Sequence, residues 1–172
     1  MTALTTDPVT SVDRLAEIAA LDLFSPAAQT VLDRFARRAA QHLGLPVGLI
    51  TVVLDDAQVM AGAHGLAGWM AQTRGVPLEW SFCRTPVATG KRHVITNAAV
   101  DATQRDNPLV TLEGVRCYAG SPLVTSRGQV LGTCCVLGND PREFTADELR
   151  SLDLMAAEVV AQLEATREDP RG

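Results

Sequence analysis

The chain has 172 residues, of which 47% are hydrophobic and 20% charged, and its formal net charge is −5. That length suits one domain with a substantial core, and the acidic balance argues against a polyanion-binding surface, because phosphate backbones need clustered Lys and Arg. The only dense basic runs are Arg37-Arg38 and Lys91-Arg92, and no apolar stretch approaches the roughly 20 residues that span a bilayer, so neither nucleic acid nor membrane is expected as a partner.

Met1 to Pro8 carries neither a positive start nor an apolar core, so no signal peptide is expected. A cytoplasmic location with reduced thiols follows as the expectation. Residues 1–25 read as a tail followed by a short helix from Val12 to Ala20. Ser25 is a good N-cap and Pro26 suits the first helical position. Ala28, Val31, Leu32, Phe35, Ala39 and Leu43 then recur at helical spacing until Gly44 and Pro46 stop the helix.

Val47 to Leu54 is apolar on both alternations, which marks a strand covered on both faces. Asp55-Asp56 turns the chain into a partner strand from Gln58 to Ala63. From Gly62 to Glu79 the pattern is irregular, with Trp69 inside the segment and Trp80 just beyond it. Ser81 to Gly90 fits a short helix with Ser81 as cap and Gly90 as terminator, and His93 to Thr96 a short strand. Asn97 to Gly114 is irregular again.

Arg116 to Leu137 reads as a hairpin around the turn Ser126-Arg127-Gly128. Gly120 and Gly132 each remove a side chain in mid-strand, which points to a bulge, a tightly packed helix or a ligand close to the backbone. Thr145 and Glu148 then form a capping box, with Phe144 and Leu149 as its staple. Leu149, Leu152, Met155, Ala156, Val159 and Leu163 give the closing helix one apolar stripe. Two long helices can share one sheet face, leaving the irregular segments for the other. The expected class is α/β (α+β): three layers, with a central antiparallel sheet and a small-ligand pocket under loops and short helices.

Four stretches carry a family resemblance: Ser81-Phe82-Cys83, Asp106-Asn107-Pro108-Leu109-Val110, Tyr118-Ala119-Gly120-Ser121-Pro122-Leu123, and Leu131-Gly132-Thr133-Cys134-Cys135-Val136. In this order the chain resembles a GAF domain of the bacterial sensory kind, over residues 26–165, with 166–172 as a tail. Departures fall near the implied pocket. Asp101-Ala102-Thr103-Gln104 replaces the usual Asp-Pro-Arg-Phe, Thr85 stands where a His is frequent, and Cys117 and Cys134 stand where an aromatic and an apolar residue are common. Gly138 replaces a common Asp. The resemblance implies a sensor that holds a small molecule, dimerises through its terminal helices and signals through a partner or a change of dimer state. Relatives hold cyclic nucleotides, tetrapyrroles, haem or metabolites.

Ligand-binding candidates are Trp80, Ser81, Cys83, Arg116, Tyr118, Gly120 and Cys135. Tyr118 and Trp80 offer a hydroxyl and an indole N–H on an apolar wall, and an arginine fork such as Arg116 suits an anion. Haem would need His64 or His93 as axial ligand. Relatives that attach a tetrapyrrole covalently typically carry adjacent Cys-His, and no Cys here precedes His. Free cysteines usually act as small buried hydrophobes. Among the four, Cys83 has the cues for thiolate character, an expected helix N-terminus and Arg84 beside it. Alternation sends Cys134 and Cys135 to opposite faces, so at most one shares a pocket with Cys83. An enzyme of the free methionine-R-sulfoxide reductase type is the alternative, resting on cysteines alone. A ligand-free interaction module is a further one.

Overall fold

The computed structural model describes residues 7–167. Helix α1 runs Val12–Ala20, with Ser11 accepting the Arg14 N–H, and α2 runs Pro26–Leu43, capped by Ser25 and ended by Gly44 at φ 68°. Strands β1 (Val47–Val53) and β2 (Ala57–His64) follow, then α3 (Gly68–Thr73), β3 (Gly75–Pro77) and α4 (Arg84–Thr89). Next come β4 (His93–Ile95), α5 (Pro108–Thr111), β5 (Cys117–Val124), β6 (Val130–Gly138) and α6 (Ala146–Ala165). Thr145 and Glu148 make the expected capping box of α6. Strand β3 lay hidden in the segment expected to be irregular. Its three residues are too few to show alternation.

The strands form one antiparallel sheet in the order β3-β2-β1-β6-β5-β4. Alternation sorts its side chains into two cores. Ile50, Val52, Cys134 and Val136 face α2 and α6, joining Leu32, Ala36, Ala39, Leu152, Met155 and Val159. Leu49, Val53, Tyr118, Cys135 and Leu137 face the opposite cover, joining Phe82, Val87, Leu109 and Val115. A register shift between Ile50 and Thr51 passes over Ala61, a bulge that bends β2. The three-layer expectation holds.

The mid-strand glycines have different tasks. At Gly48 an added Cβ would lie 2.0 Å from the Ala36 carbonyl oxygen, and at Gly62 2.4 Å from that of Leu32. Helix α2 therefore rests its backbone directly on β1 and β2. At Gly132 the close neighbour is the Thr51 carbonyl of the adjoining strand, at 2.0 Å. The close approach expected there comes from the sheet itself.

Residues 7–25 belong to the packed body. Val9 joins the cover-side core, while Ile18, Leu21 and Leu23 join the helix-side core, so this segment wraps from one face of the sheet to the other. Arg14, only 2% exposed, pins the wrap. Its guanidinium donates to the carbonyls of Pro8 (3.2 Å), Val9 (2.7 Å), Val130 (3.2 Å) and Leu131 (3.3 Å). Buried Glu17 accepts from Arg167, tying α1 to the residues that follow α6. Residues 1–6 of the expected N-terminal tail and 168–172 of the C-terminal one lie outside the described residues. Among the described residues no helix is long and apolar enough to cross a membrane.

Candidate functional site

Between the sheet and its cover lies a cavity of about 60 Å³ open to the centre of a water molecule. One water needs roughly 10–15 Å³ on such a measure, so the space suits a very small molecule and is far too small for a haem or a tetrapyrrole. β1 and β2 supply Val47, Leu49, Gln58 and Met60, and β5 and β6 supply Tyr118, Cys135 and Leu137. The cover adds Leu66, Met70, Phe82, Cys83, Leu109 and Val115, and Asn139 stands at the end of β6. None of these residues carries a formal charge at neutral pH, apart from what the Cys83 thiol contributes.

The polar floor centres on Cys83. Its Sγ lies 3.1 Å from Thr133 Oγ1, and the Tyr118 hydroxyl donates to it at 3.2 Å. Thr133 Oγ1 is in turn 3.0 Å from Thr51 Oγ1, which also accepts the Thr133 N–H at 3.1 Å. Burial pushes the Cys83 thiol up, but interactions with Cys135, Thr133, Thr51 and Tyr118 outweigh it and bring the pKa down to about 7. Burial raises Tyr118 and Cys135 well above their ordinary values, and the neighbouring thiols push them the same way. Cys83 is only 2% exposed. It precedes α4 without capping it by a side-chain hydrogen bond, so the Cys135 thiol and nearby hydroxyls tune this thiol, where Arg84 and a helix N-terminus were expected to.

Of the seven expected ligand-binding residues, the fold brings Cys83, Tyr118 and Cys135 together on the cavity wall. Ser81 stands one step behind. Its hydroxyl donates to Gln58 Oε1 at 2.5 Å and accepts the Cys83 N–H at 3.1 Å, so it orients two lining residues. Arg116 donates to the Val110 and Val115 carbonyls, fastening the loop that carries Leu109 and Val115. Trp80 packs edge-on against Trp69 at 5.9 Å, and its carbonyl accepts from the Asn107 side chain. These two residues therefore build the cover and do not line the cavity.

Gly120 does its work through Tyr118. A Cβ there would lie 2.1 Å from the Tyr118 hydroxyl oxygen, so the bare backbone lets the ring lie along β5 and aim its O–H at Cys83. Gly120→Ala is expected to displace that hydroxyl, cost about 1–3 kcal/mol of stability and raise the Cys83 pKa. Urea unfolding and the pH dependence of Cys83 alkylation measure the two effects.

His64 ends β2, and His93 opens β4 with its ring 6.0 Å from that of Tyr118. Burial lowers the His93 pKa, partly opposed by Asp101. Neither histidine lines the cavity, and the lining residues do not fit haem. Sequence reasoning overlooked Gln58, Met60, Thr51 and Thr133. The period-2 pattern of β2 was a usable signal for Gln58 and Met60, while the threonine pair needed the β1–β6 register.

The GAF domain family profile matches residues 26–164. The chain belongs to the GAF domain family. It is 30% identical over 156 residues to a cyclic di-GMP phosphodiesterase, PA2567, of Pseudomonas aeruginosa; the match covers 90% of this chain and 26% of that protein. The chain thus spans about a quarter of that relative's length. Among solved structures, the GAF domain of a phosphoenolpyruvate-protein phosphotransferase from Coxiella burnetii is similar with a TM-score of 0.69, at 15% identity and 90% coverage of both chains. The blue-light absorbing form of the PixJ GAF domain from Thermosynechococcus elongatus is similar with a TM-score of 0.66, at 15% identity, covering 90% of this chain and 89% of that one. At such identities these likenesses speak for the fold.

Proposed function

We propose that this chain is a sensory GAF module whose cavity takes a very small, uncharged, largely apolar ligand and which acts in the cytoplasm through a signalling partner. The observation that carries the reading is a cavity wall that, among the described residues, has no Lys, Arg, His, Asp or Glu, on the sheet face opposite the helix layer. A phosphate or carboxylate brought there would lose its hydration with no cation to replace it. Gln58, Tyr118 and Asn139 are the orienting polar groups for a neutral ligand. The likeness to part of a cyclic di-GMP phosphodiesterase supports regulation of an attached or separate output enzyme. The mechanism is a population shift, in which the ligand favours one packing of α3, α5 and their loops.

The output surface in this reading is the α2–α6 layer, docking on a second copy of the chain. Leu154, 61% exposed on α6, supports it. Thermal-shift and native mass spectrometry with matched neutral and anionic compounds test the ligand. Neutral molecules of a few heavy atoms are expected to raise the melting temperature, and cyclic nucleotides to leave it unchanged. Stabilisation by the anions alone would falsify the assignment. Sedimentation of wild type beside Leu154→Glu tests the dimer, which the charge is expected to dissociate.

A further inference from the structure

We propose that Cys83 is a site of reversible oxidation by small uncharged hydroperoxides, with Cys135 as the thiol that closes it into a disulfide. The inference uses the cavity floor alone and holds whether or not the cavity also takes a metabolite.

A reactive thiol needs thiolate character and a path for its oxidant. Cys83 gains the first from the Cys135 thiol and from hydroxyl groups: Tyr118 donates to its Sγ, and Thr133 Oγ1 lies 3.1 Å away with Thr51 behind it. These groups replace the hydration that a buried thiolate would otherwise lack. The path is the cavity, which Cys83 and Cys135 both line. Its small size and uncharged wall admit hydrogen peroxide and exclude bulky or charged reagents. The proton balance also separates the two thiols. Cys83 is held at about 7, while Cys135 is raised well above the ordinary thiol value and stays protonated.

The other two cysteines serve as internal controls. Cys134 faces the helix layer, and burial pushes its thiol up to about 12. Cys117 lies two residues before Ala119, a helix-side residue of the same strand, and burial raises its thiol too. Neither lines the cavity.

The chemistry balances with the hydroperoxide as sole oxidant. The Cys83 thiolate attacks one peroxide oxygen, the S–O bond forms as the O–O bond breaks, and the leaving alkoxide or hydroxide takes up the proton that Cys83 released. The sulfur loses an electron pair and becomes a sulfenic acid. The Cys135 sulfur then attacks the sulfenic sulfur, forming S–S and breaking S–O. The departing hydroxide takes the Cys135 proton and leaves as water. An external dithiol returns the electron pair and restores both thiols.

The test treats the full chain with hydrogen peroxide, alkylates the remaining thiols and maps peptides by mass spectrometry. A Cys83–Cys135 linked peptide that dithiothreitol reverses is expected. In Cys135→Ser the Cys83 sulfenic acid is expected to appear as the gain of one oxygen in intact-protein mass spectrometry, and Tyr118→Phe is expected to slow Cys83 oxidation severalfold. In the folded chain Cys83 should react at least about tenfold faster than Cys117 or Cys134, a difference that vanishes in urea. Equal reactivity of the folded-state thiols, or a disulfide that omits Cys83, overturns the proposal. Neutral-ligand stabilisation measured on the wild-type chain kept reduced with dithiothreitol reads the ligand assignment independently, so the two can fail separately.

Discussion

Gly48→Ala is expected to destabilise the chain by about 3 kcal/mol, because a methyl group at this position would stand 2.0 Å from the Ala36 carbonyl oxygen and 2.9 Å from its carbon. The obstacle is helix backbone, which no rotamer change can move aside. Helix α2 would have to lift off β1, opening gaps around Leu32, Ala36 and Ala39, all of which are fully buried. Gly75→Ala is the matched control. There an added Cβ meets only the Gln58 carbonyl oxygen at 3.4 Å and the Thr73 carbonyl oxygen at 3.8 Å, which is ordinary contact. Its effect should stay within about 1 kcal/mol. Urea midpoints for the pair check the argument, and similar losses at both positions would mean that the helix–sheet approach is not what Gly48 secures.

Arg14→Ala is expected to cost a similar amount, about 3 kcal/mol, because four backbone carbonyls lose a charged donor at once. Among the described residues no carboxylate shares the guanidinium, so the residue acts as a hydrogen-bonding rivet between the Pro8–Val9 turn and the start of β6. Burial lowers its pKa, with Asp55 and Asp7 opposing, yet an arginine stays protonated throughout the neutral range. Arg14→Lys is expected to recover little, since one ammonium cannot span the fork. Limited proteolysis separates local from global damage: the variant should be cut within residues 7–25 before the sheet opens. Wild-type resistance in that segment would show that apolar packing of Val9, Ile18 and Leu23 holds the wrap unaided.

Much of the architecture could be read from local patterns. The caps at Ser25 and Thr145 and the stripe of α6 locate the long helices, and the apolar alternations of β1 and β6 locate a sheet covered on both faces. The separation of Cys134 from Cys135 follows from the same period and places Cys135 alone beside Cys83. The site was legible only in outline. Cys83, Tyr118 and Cys135 line the cavity, whereas Trp80 and Arg116 looked equally apt and fasten its cover. An indole or guanidinium suits a ligand and a backbone carbonyl alike, and residue type does not distinguish them. Arg14 escaped notice because a charged residue on a short amphipathic helix reads as solvated, while its partners lie as far as 117 residues along the chain.

The sequence by itself determined the family, the helix–sheet–cover layering and the opposite faces taken by Cys134 and Cys135, because helix and strand periods are properties of neighbouring residues. Tertiary structure alone decided what surrounds each of those positions. The thiol–hydroxyl cluster joins residues 35, 50 and 82 apart, and its character depends on how α4, β5, β6 and β1 converge. Gly120 shows the difference most plainly. Its missing side chain was visible from the start, but only the packed β5 shows that the vacated space belongs to Tyr118 and is used to aim a hydroxyl at Cys83.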